Sequence, residues 1–334
     1  MTEKTNAAVQ EFLKSLQAGE RQYKDGLAIF PLHSDVKSSY DYLTLDEALR
    51  GEVLSVTEIG SGTVPEIKVL NKSTKDVFIM DGEELVGAKQ NRIVNISLMV
   101  PAESEVNIPV SCVEQGRWHD TSVHFKRSNN IPYANLRKKH KESVIHAMAV
   151  DNSYRANQGE VWEDIACCMR ARKVSSPTAA MNDIYEKEKN RIEDYRDVFH
   201  VVDGQIGAVF AIGKDIFGMD VFDKEETCKK LMPKIINSYV MEILDRKTDK
   251  QADPEEVKVF LNALLGSTLS SRKSPGVGVT VSITSQTASG TSLVSKDTVI
   301  HTAVFNKPGQ EQQEEKHEYM RNPSMRRNYR MNSE

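Results

Sequence analysis

The spacing of apolar residues changes along the chain, and each change marks a different predicted structure. Residues 5–18 place apolar side chains on one face of a helix, and Gly19 follows them as a stop signal. We therefore predict that a helix is the main element of residues 1–25.

Short stretches of alternating apolar and polar side chains fill residues 26–125, and this spacing is typical of half-buried strands. Turn signals such as Asp81-Gly82 separate the stretches at intervals of about ten residues. Thr44 and Glu47 form a capping-box pattern, so a short helix should begin at Leu45. The region is predicted to form a mainly antiparallel β-sandwich.

Longer helical patterns dominate the first part of residues 126–305. The predicted helices are 134–149, 159–172, 177–196, 224–244 and 254–265. The third should start at the Ser176-Pro177 signal, and Pro233 should kink or split the fourth.

Strand patterns return further along the same region. Strands at 198–203 and 205–212 should be joined as a hairpin by Asp203-Gly204. Residues 277–305 read as a three-stranded meander. The chain is therefore predicted to be α+β, with a β-sandwich first half and mixed helices and a β-meander in the second. The patterns leave open whether residues 26–125 and 126–305 are separate domains or one continuous domain.

Composition excludes several classes of protein. The 334 residues are 39% hydrophobic, and the net charge of −4 gives no basic face for nucleic acid. No apolar run approaches the roughly 18 residues that span a bilayer, so no membrane partner is expected. Four cysteines without metal or disulfide spacing indicate a cytoplasmic protein with no metal site. No cofactor motif is present, and residues 306–334 are predicted to be a polar, disordered tail.

Two blocks of sequence are distinctive. They are residues 80–93 (MDGEELVGAKQNRI) and 108–118 (IPVSCVEQGRW). They resemble the ADP-ribosylglycohydrolase-and-rhodanese-phosphatase-associated protein family, first type. The resemblance continues through looser blocks and covers roughly residues 26–305. It implies a neighbourhood of NAD-derived nucleotides or ADP-ribose, and it carries no established reaction onto these residues.

The first block supplies Glu84, Gln90 and Arg92 as candidate ligand-binding residues. A carboxylate, an amide and a guanidinium together can bind a sugar diol and a phosphate. Glu84 is also a candidate acid or base. The structural alternative is a β-loop in which Arg92 pairs with Glu84.

The second block supplies Glu114, Arg117 and Trp118. Arginine offers a fork for phosphate, and tryptophan offers a flat face for a base. Glu114 is a second candidate acid or base. The structural alternative is an Arg–Glu pair beside a core tryptophan. Cys112 lies in an apolar strand pattern and is expected to be a core residue.

Two further residues complete the candidate site. Gln158 begins a predicted helix and is a possible ligand contact. His301 alternates with Ile300 and Thr302 in a predicted strand, so it is either a core histidine or a third candidate acid or base.

These observations support two hypotheses. In the first, the protein binds or processes an NAD-derived or ADP-ribose-like phosphorylated small molecule, a nucleotide-like partner. In the second, it is a non-catalytic interaction or assembly module, whose β-rich half docks a partner and whose later helices mediate homo-oligomerisation. Convergence of the candidate residues on one pocket would favour the first hypothesis.

Overall fold

Seven helices and eighteen strands occupy residues 2–245 and 248–307, which the computed structural model describes. The helices are α1 (Thr2–Lys14), α2 (Leu45–Arg50), α3 (Ala134–Val150), α4 (Gln158–Arg172), α5 (Met181–Glu193), α6 (Glu225–Ile243) and α7 (Pro254–Leu265). The strands before α3 are β1 (Gln17–Ala18), β2 (Gln22–Lys24), β3 (Leu27–His33), β4 (Leu43–Thr44), β5 (Leu54–Thr57), β6 (Glu66–Asn71), β7 (Val77–Ile79), β8 (Glu84–Gly87), β9 (Arg92–Val94), β10 (Leu98–Val100), β11 (Ser104–Cys112) and β12 (Phe125–Arg127). The later strands are β13 (Gly207–Ile212), β14 (Asp215–Phe222), β15 (Thr268–Lys273), β16 (Val279–Thr284), β17 (Ala288–Ser295) and β18 (Thr298–Asn306).

A nine-stranded antiparallel sheet joins the two ends of the described chain. Its order is β1-β3-β13-β14-β18-β17-β16-β15, and β2 also pairs with β3. Six of the seven residues of β3 are buried, because helices cover both faces of this sheet. Helices α1 and α7 pack on one face, α3 and α6 pack on the other, and α4 and α5 pack against α3 and α6. The predicted three-stranded meander corresponds to β16, β17 and β18.

Two smaller sheets form the rest of the β-rich part. One has the order β10-β7-β4 and the other β12-β8-β9-β11-β6-β5. The α+β class is therefore confirmed, but the sandwich is not. Strand β11 pairs with β6 through Ser104–Pro109 and with β9 only from Val110 onwards. This stagger curls the six-stranded sheet, so its end strands β5 and β12 approach each other.

Local signals at helix ends are confirmed where side chains make the caps. Thr44 and Glu47 form the capping box of α2, and Asp253 forms that of α7. Pro233 lies inside α6 without splitting it. The prediction that a helix starts at Pro177 is wrong, because Ala179 has a left-handed backbone (φ +53°) that a helix cannot include.

The hairpin prediction at Asp203-Gly204 is also wrong. Residues 198–203 form turns and irregular backbone, and the strand after them, β13, pairs with β3 instead. The edge that a local hairpin partner would occupy is therefore filled by a strand from the start of the chain. No helix among the described residues is both long and apolar enough to cross a membrane. The predicted tail lies outside the described residues from 308 onwards.

Candidate functional site

The loop between β8 and β9 is held in an unusual backbone conformation. Gly87 has φ +116°, and Ala88, a residue with a Cβ, has φ +42°. A Cβ at Gly87 would lie 2.5 Å from the Ser122 hydroxyl, so only glycine fits there. The loop places Gln90, Asn91 and Arg92 inside the protein, where all three are buried.

Arg92 is fully buried at the start of β9. Its guanidinium lies 3.4 Å from Glu58 and donates a hydrogen bond of 3.2 Å to Gln90. It also contacts the sulfur of Cys112, and Trp118 lies over it at 5.5 Å. Arg92 therefore pairs with Glu58, a residue outside both sequence blocks, and its charge is already balanced.

Arg117 is likewise held by hydrogen bonds to neighbouring groups. Its Nε and Nη2 donate to the two oxygens of Glu114 at 2.9 and 2.6 Å. The same guanidinium donates to the carbonyls of Gly87 and Ala88 and to Asn91. Burial opposes ionisation of Glu114, but hydrogen bonds from Arg117 and other donors hold its pKa below the ordinary value. Arg117 thus fastens the β8–β9 loop.

The remaining residues of this network have different environments. Gln158 hydrogen-bonds both backbone groups of Cys112, at 2.7 and 2.8 Å, and so fixes the start of α4 to β11. Gln90 donates to the carbonyl of Gln115 at 3.5 Å. Trp118 is 48% exposed, and the cationic groups of Lys89 and Arg92 lie 5.8 and 5.5 Å from the centre of its ring. Burial raises the pKa of the Cys112 thiol to about 11, although Arg92 opposes the shift.

His301 belongs to a separate buried network. Its Nδ1 is 2.8 Å from the Ser97 hydroxyl, and its ring stacks on Phe222 at 4.8 Å. Asp81 and Asp220 each lie 3.4 Å from one of its ring nitrogens. The sequence therefore grouped His301 with residues that the fold places in another cluster.

Two ion pairs complete the network around His301. Lys141 lies 2.7 Å from Asp81, and Arg137 donates to both oxygens of Asp220 at 3.0 and 2.6 Å. Burial opposes ionisation of Asp81, but Lys141 and the other nearby positive charges hold its pKa well below the usual range. These pairs join the β-rich part to α3 and the nine-stranded sheet.

Glu84 differs from the other candidates because it lacks a cationic partner at hydrogen-bond distance among the described residues. It is 1% exposed at the start of β8, and its Oε2 accepts a hydrogen bond of 2.7 Å from Ser128. Its Oε1 is buried and has no hydrogen-bond partner among the described residues. Burial raises the pKa of Glu84 to about 7; the Ser128 hydrogen bond opposes the shift, and the charge of Glu114 adds to it.

Ser128 connects Glu84 to a cavity of about 370 Å³, which we call the α5 cavity. Four side chains that line it are cationic, four are asparagines and one is a carboxylate. The lining residues are Val86, Lys126, Arg127, Ser128, Asn129, Asn130, Asn182, Tyr185, Glu186, Lys189, Ile192, Arg196 and Asn237. The cavity therefore offers many hydrogen-bond donors and more cations than carboxylates in its lining, although Arg127 lies 4.0 Å from Asp46 and Arg196 lies 3.4 Å from Glu193.

A second cavity adjoins the α5 cavity and shares Ile192, Arg196 and Asn237 with it. Its volume is about 260 Å³, and we call it the aromatic pocket. Tyr195 and Phe199 line it with rings that are nearly parallel at 6.2 Å. The two cavities together form a groove with one polar, cationic end and one apolar end.

A third cavity lies close to Trp118 and has a volume of about 610 Å³. Lys89 lines it together with two carboxylates, Glu58 and Asp120. This charge balance is less suited to a phosphate than that of the α5 cavity. Within residues 2–245 and 248–307, no group of three or more His, Cys, Asp or Glu could hold a metal ion.

None of the residues that line the α5 cavity was predicted from the sequence as a site residue. One signal was present, because residues 126–130 read KRSNN, a run of cations, a hydroxyl and amides directly after Phe125. Val86 comes from β8, and the other residues come from α5, the turn after it and α6, so only the fold brings them to that run. Glu84 is the predicted site residue that reaches this cavity wall, through Ser128.

Comparison with known proteins supports the family resemblance carried by residues 80–93 and 108–118. No curated protein and no solved structure is similar enough to the chain to count as a match. A family model does match, over residues 15–305, and this confirms the resemblance on which the sequence blocks depend. The chain belongs to the family defined by the ARG and Rhodanese-Phosphatase-superfamily-associated Protein domain.

Proposed function

We propose that the protein binds an NAD-derived or ADP-ribose-like phosphorylated small molecule in the groove formed by the α5 cavity and the aromatic pocket. The observation that carries this proposal is the lining of the α5 cavity, where four cations face one carboxylate. The family name links the domain to ADP-ribosylglycohydrolases and agrees with this class of ligand.

The phosphate end of the ligand fits the α5 cavity. Lys126, Arg127 and Lys189 supply charged donors, and a charge-assisted hydrogen bond to a phosphate contributes about 1.5–3 kcal/mol. Asn130 and Asn182 lie together at the wall, with their side chains 2.8 Å apart, and amides of this kind can bind sugar hydroxyls.

The base end of the ligand fits the aromatic pocket. Phe199 and Ile236 present apolar surface, and Tyr195 presents a ring whose hydroxyl is fixed by Asp25 at 3.0 Å. A flat base can stack on or beside such rings. The shared residues Arg196 and Asn237 lie where the two ends of the ligand would meet.

Binding of ADP-ribose and of ribose 5-phosphate, measured by titration calorimetry, tests the proposal. Lys126→Gln and Lys189→Gln should each weaken both ligands about tenfold, because each removes one charged contact from an exposed position. Lys258→Gln is the matched control, since Lys258 is an exposed lysine on α7, which packs on the opposite face of the large sheet. Equal effects of all three substitutions would reject the site.

A second comparison separates the two ends of the groove. Phe199→Leu should weaken ADP-ribose and leave ribose 5-phosphate unchanged, because only ADP-ribose carries a base. Failure of wild-type protein to bind either ligand would reject the proposed function.

The alternative function, a non-catalytic interaction module, is favoured by one observation. Val64, Trp118 and Val123 are large apolar side chains on the β-rich part, and all are exposed. Such side chains can mark a surface that another protein covers. Sedimentation of the wild-type chain and of Trp118→Ser tests whether a second copy covers this surface, which requires an assembly that the substitution weakens.

A further inference from the structure

Ser128 lies between a buried carboxylate and open space. Its hydroxyl donates to Glu84 Oε2 at 2.7 Å and accepts from the backbone N–H of Asn130 at 3.1 Å. Ser128 also lines the α5 cavity, whereas Glu84 lies behind it. A hydroxyl has one hydrogen to donate and two lone pairs, so it can accept from Asn130 and Glu84 together and donate to a third group.

The charges that face Glu84 come from several elements. Glu114 after β11 and Asp183 on α5 raise its pKa, and Lys234 on α6 lowers it. Tyr185 on α5 lies near enough for the two ionisable groups to influence each other. The charge of Lys234 is already shared, because it lies 2.9 Å from Glu83 and 3.2 Å from Asp46.

Two polar atoms at this wall have unused hydrogen-bonding capacity among the described residues. They are Oε1 of Glu84 and the hydroxyl of Tyr185, and both are buried. A buried polar atom without a partner is costly, so such atoms are rare in folded proteins and call for a specific reason. Tyr185 itself lines the α5 cavity.

We propose that Glu84 and Ser128 form a proton relay that opens on the α5 cavity, and that Glu84 takes up a proton when an anionic ligand binds there. This inference rests on the proposed function, because it requires an anion in the cavity. A negative charge placed near Glu84 disfavours its ionised form and so draws a proton from solvent. Protonated Glu84 then donates to Ser128, and Ser128 turns its own hydrogen towards the ligand.

The step is balanced without any further reactant. The hydrogen of Ser128 passes to Glu84 as the Ser128 O–H bond breaks, and a proton from solvent in the cavity forms a new O–H bond on Ser128 Oγ. The net change is one added O–H bond, on Glu84, and a Glu84–Ser128 hydrogen bond of reversed direction. The site thereby gains a donor aimed at the anion and loses a negative charge.

Titration calorimetry with ADP-ribose in two buffers of different ionisation enthalpy measures the protons taken up on binding. The pyrophosphate of ADP-ribose keeps the same charge from weakly acidic to weakly alkaline solution, so any linked proton belongs to the protein. Near pH 8 the wild-type chain should take up close to one proton per ligand. Its affinity should fall as pH rises above the pKa of Glu84, about 7.

The Glu84→Gln variant should bind ADP-ribose with no proton uptake and with an affinity that no longer depends on pH in this range. Glu255→Gln is the matched control, because Glu255 is an exposed carboxyl on α7, on the opposite face of the large sheet, and this variant should keep the wild-type uptake. Carbon NMR of labelled glutamate carboxyls in the wild-type chain gives a second measure that needs no variant. One carboxyl that titrates near pH 7 should titrate at higher pH when ADP-ribose is added.

The outcomes distinguish the two proposals. Binding without proton uptake in the wild-type chain, or uptake that persists in Glu84→Gln, overturns the relay and leaves the proposed function standing. An absence of binding by the wild-type chain at every pH overturns both.

Discussion

Arg137 and Asp220 form a two-pronged ion pair, with hydrogen bonds of 3.0 and 2.6 Å, that is fully enclosed between α3 and the nine-stranded sheet. Each charge is stabilised by the other, because neither side chain is exposed to water. His301 approaches the same carboxylate at 3.4 Å. A single substitution in this pair should therefore lower the stability of the whole fold.

Arg137→Ala should lower the free energy of unfolding by about 3–5 kcal/mol, because it leaves Asp220 buried without its counter-charge. Lys139→Ala is the control on the same helix, since Lys139 pairs with Asp164 at the surface. The control should cost less than about 1 kcal/mol. Urea unfolding measures both, and similar values for the two variants would contradict the assignment.

Arg92→Ala and Arg117→Ala separate a structural from a ligand-binding role. Both guanidiniums are buried and hydrogen-bonded, so each variant should lose about 3–5 kcal/mol of stability. The notion that these arginines bind phosphate directly remains a prediction, and it requires the reverse result. Stability that is preserved while ADP-ribose binding is lost would support it.

Glu84→Gln should change how stability depends on pH. The folded-state pKa of about 7 lies above the ordinary value of 4.5, so the folded state holds the proton more tightly. Wild-type stability from this group is fully present below about pH 4.5 and is lost as pH rises towards 7. The variant should match the wild-type chain at pH 4 and exceed it by a few kcal/mol at pH 8. Thermal unfolding across this range checks the sign, and a variant that is less stable at pH 8 would contradict it.

Cys112 should react slowly with alkylating reagents, because burial raises the pKa of its thiol to about 11. Cys167 is exposed and provides the internal comparison. Mass spectrometry of the native chain after brief alkylation should find the label on Cys167 first. Cys112→Ser should keep ligand binding with modest destabilisation, whereas rapid labelling of Cys112 would indicate a reactive thiol.

The parts of the fold that sequence predicts well are those set by near neighbours. The capping box joins Thr44 to Glu47, and the ion pair joins Glu114 to Arg117. In each case the partners are three positions apart, so the local pattern specifies them. Arg92 instead pairs with Glu58, whereas the local sequence pattern suggested Glu84 as its partner. That choice depends on how the curled sheet brings the segment before β6 against β9.

The same distinction explains why the α5 cavity was missed. The polar run at residues 126–130 forms a cavity wall only when the fold places Tyr185 and Lys189 of α5 and Asn237 of α6 beside it. The raised pKa of Glu84 could not be predicted for the same reason. It results from burial, which depends on the assembled fold and cannot be read from the residues next to Glu84 in the sequence.

The pairing of β3 with β13 has a consequence for synthesis on the ribosome. Phe30 is made early, but its partner Val209 follows only after most of the chain has emerged. At about 5–20 residues per second, the apolar strand β3 waits roughly 10 to 35 s for its neighbour. During that interval only the short strands β1 and β2 can pair with it, and its other edge stays open. The nascent chain should therefore depend on chaperones, and truncated chains that end before β13 should aggregate.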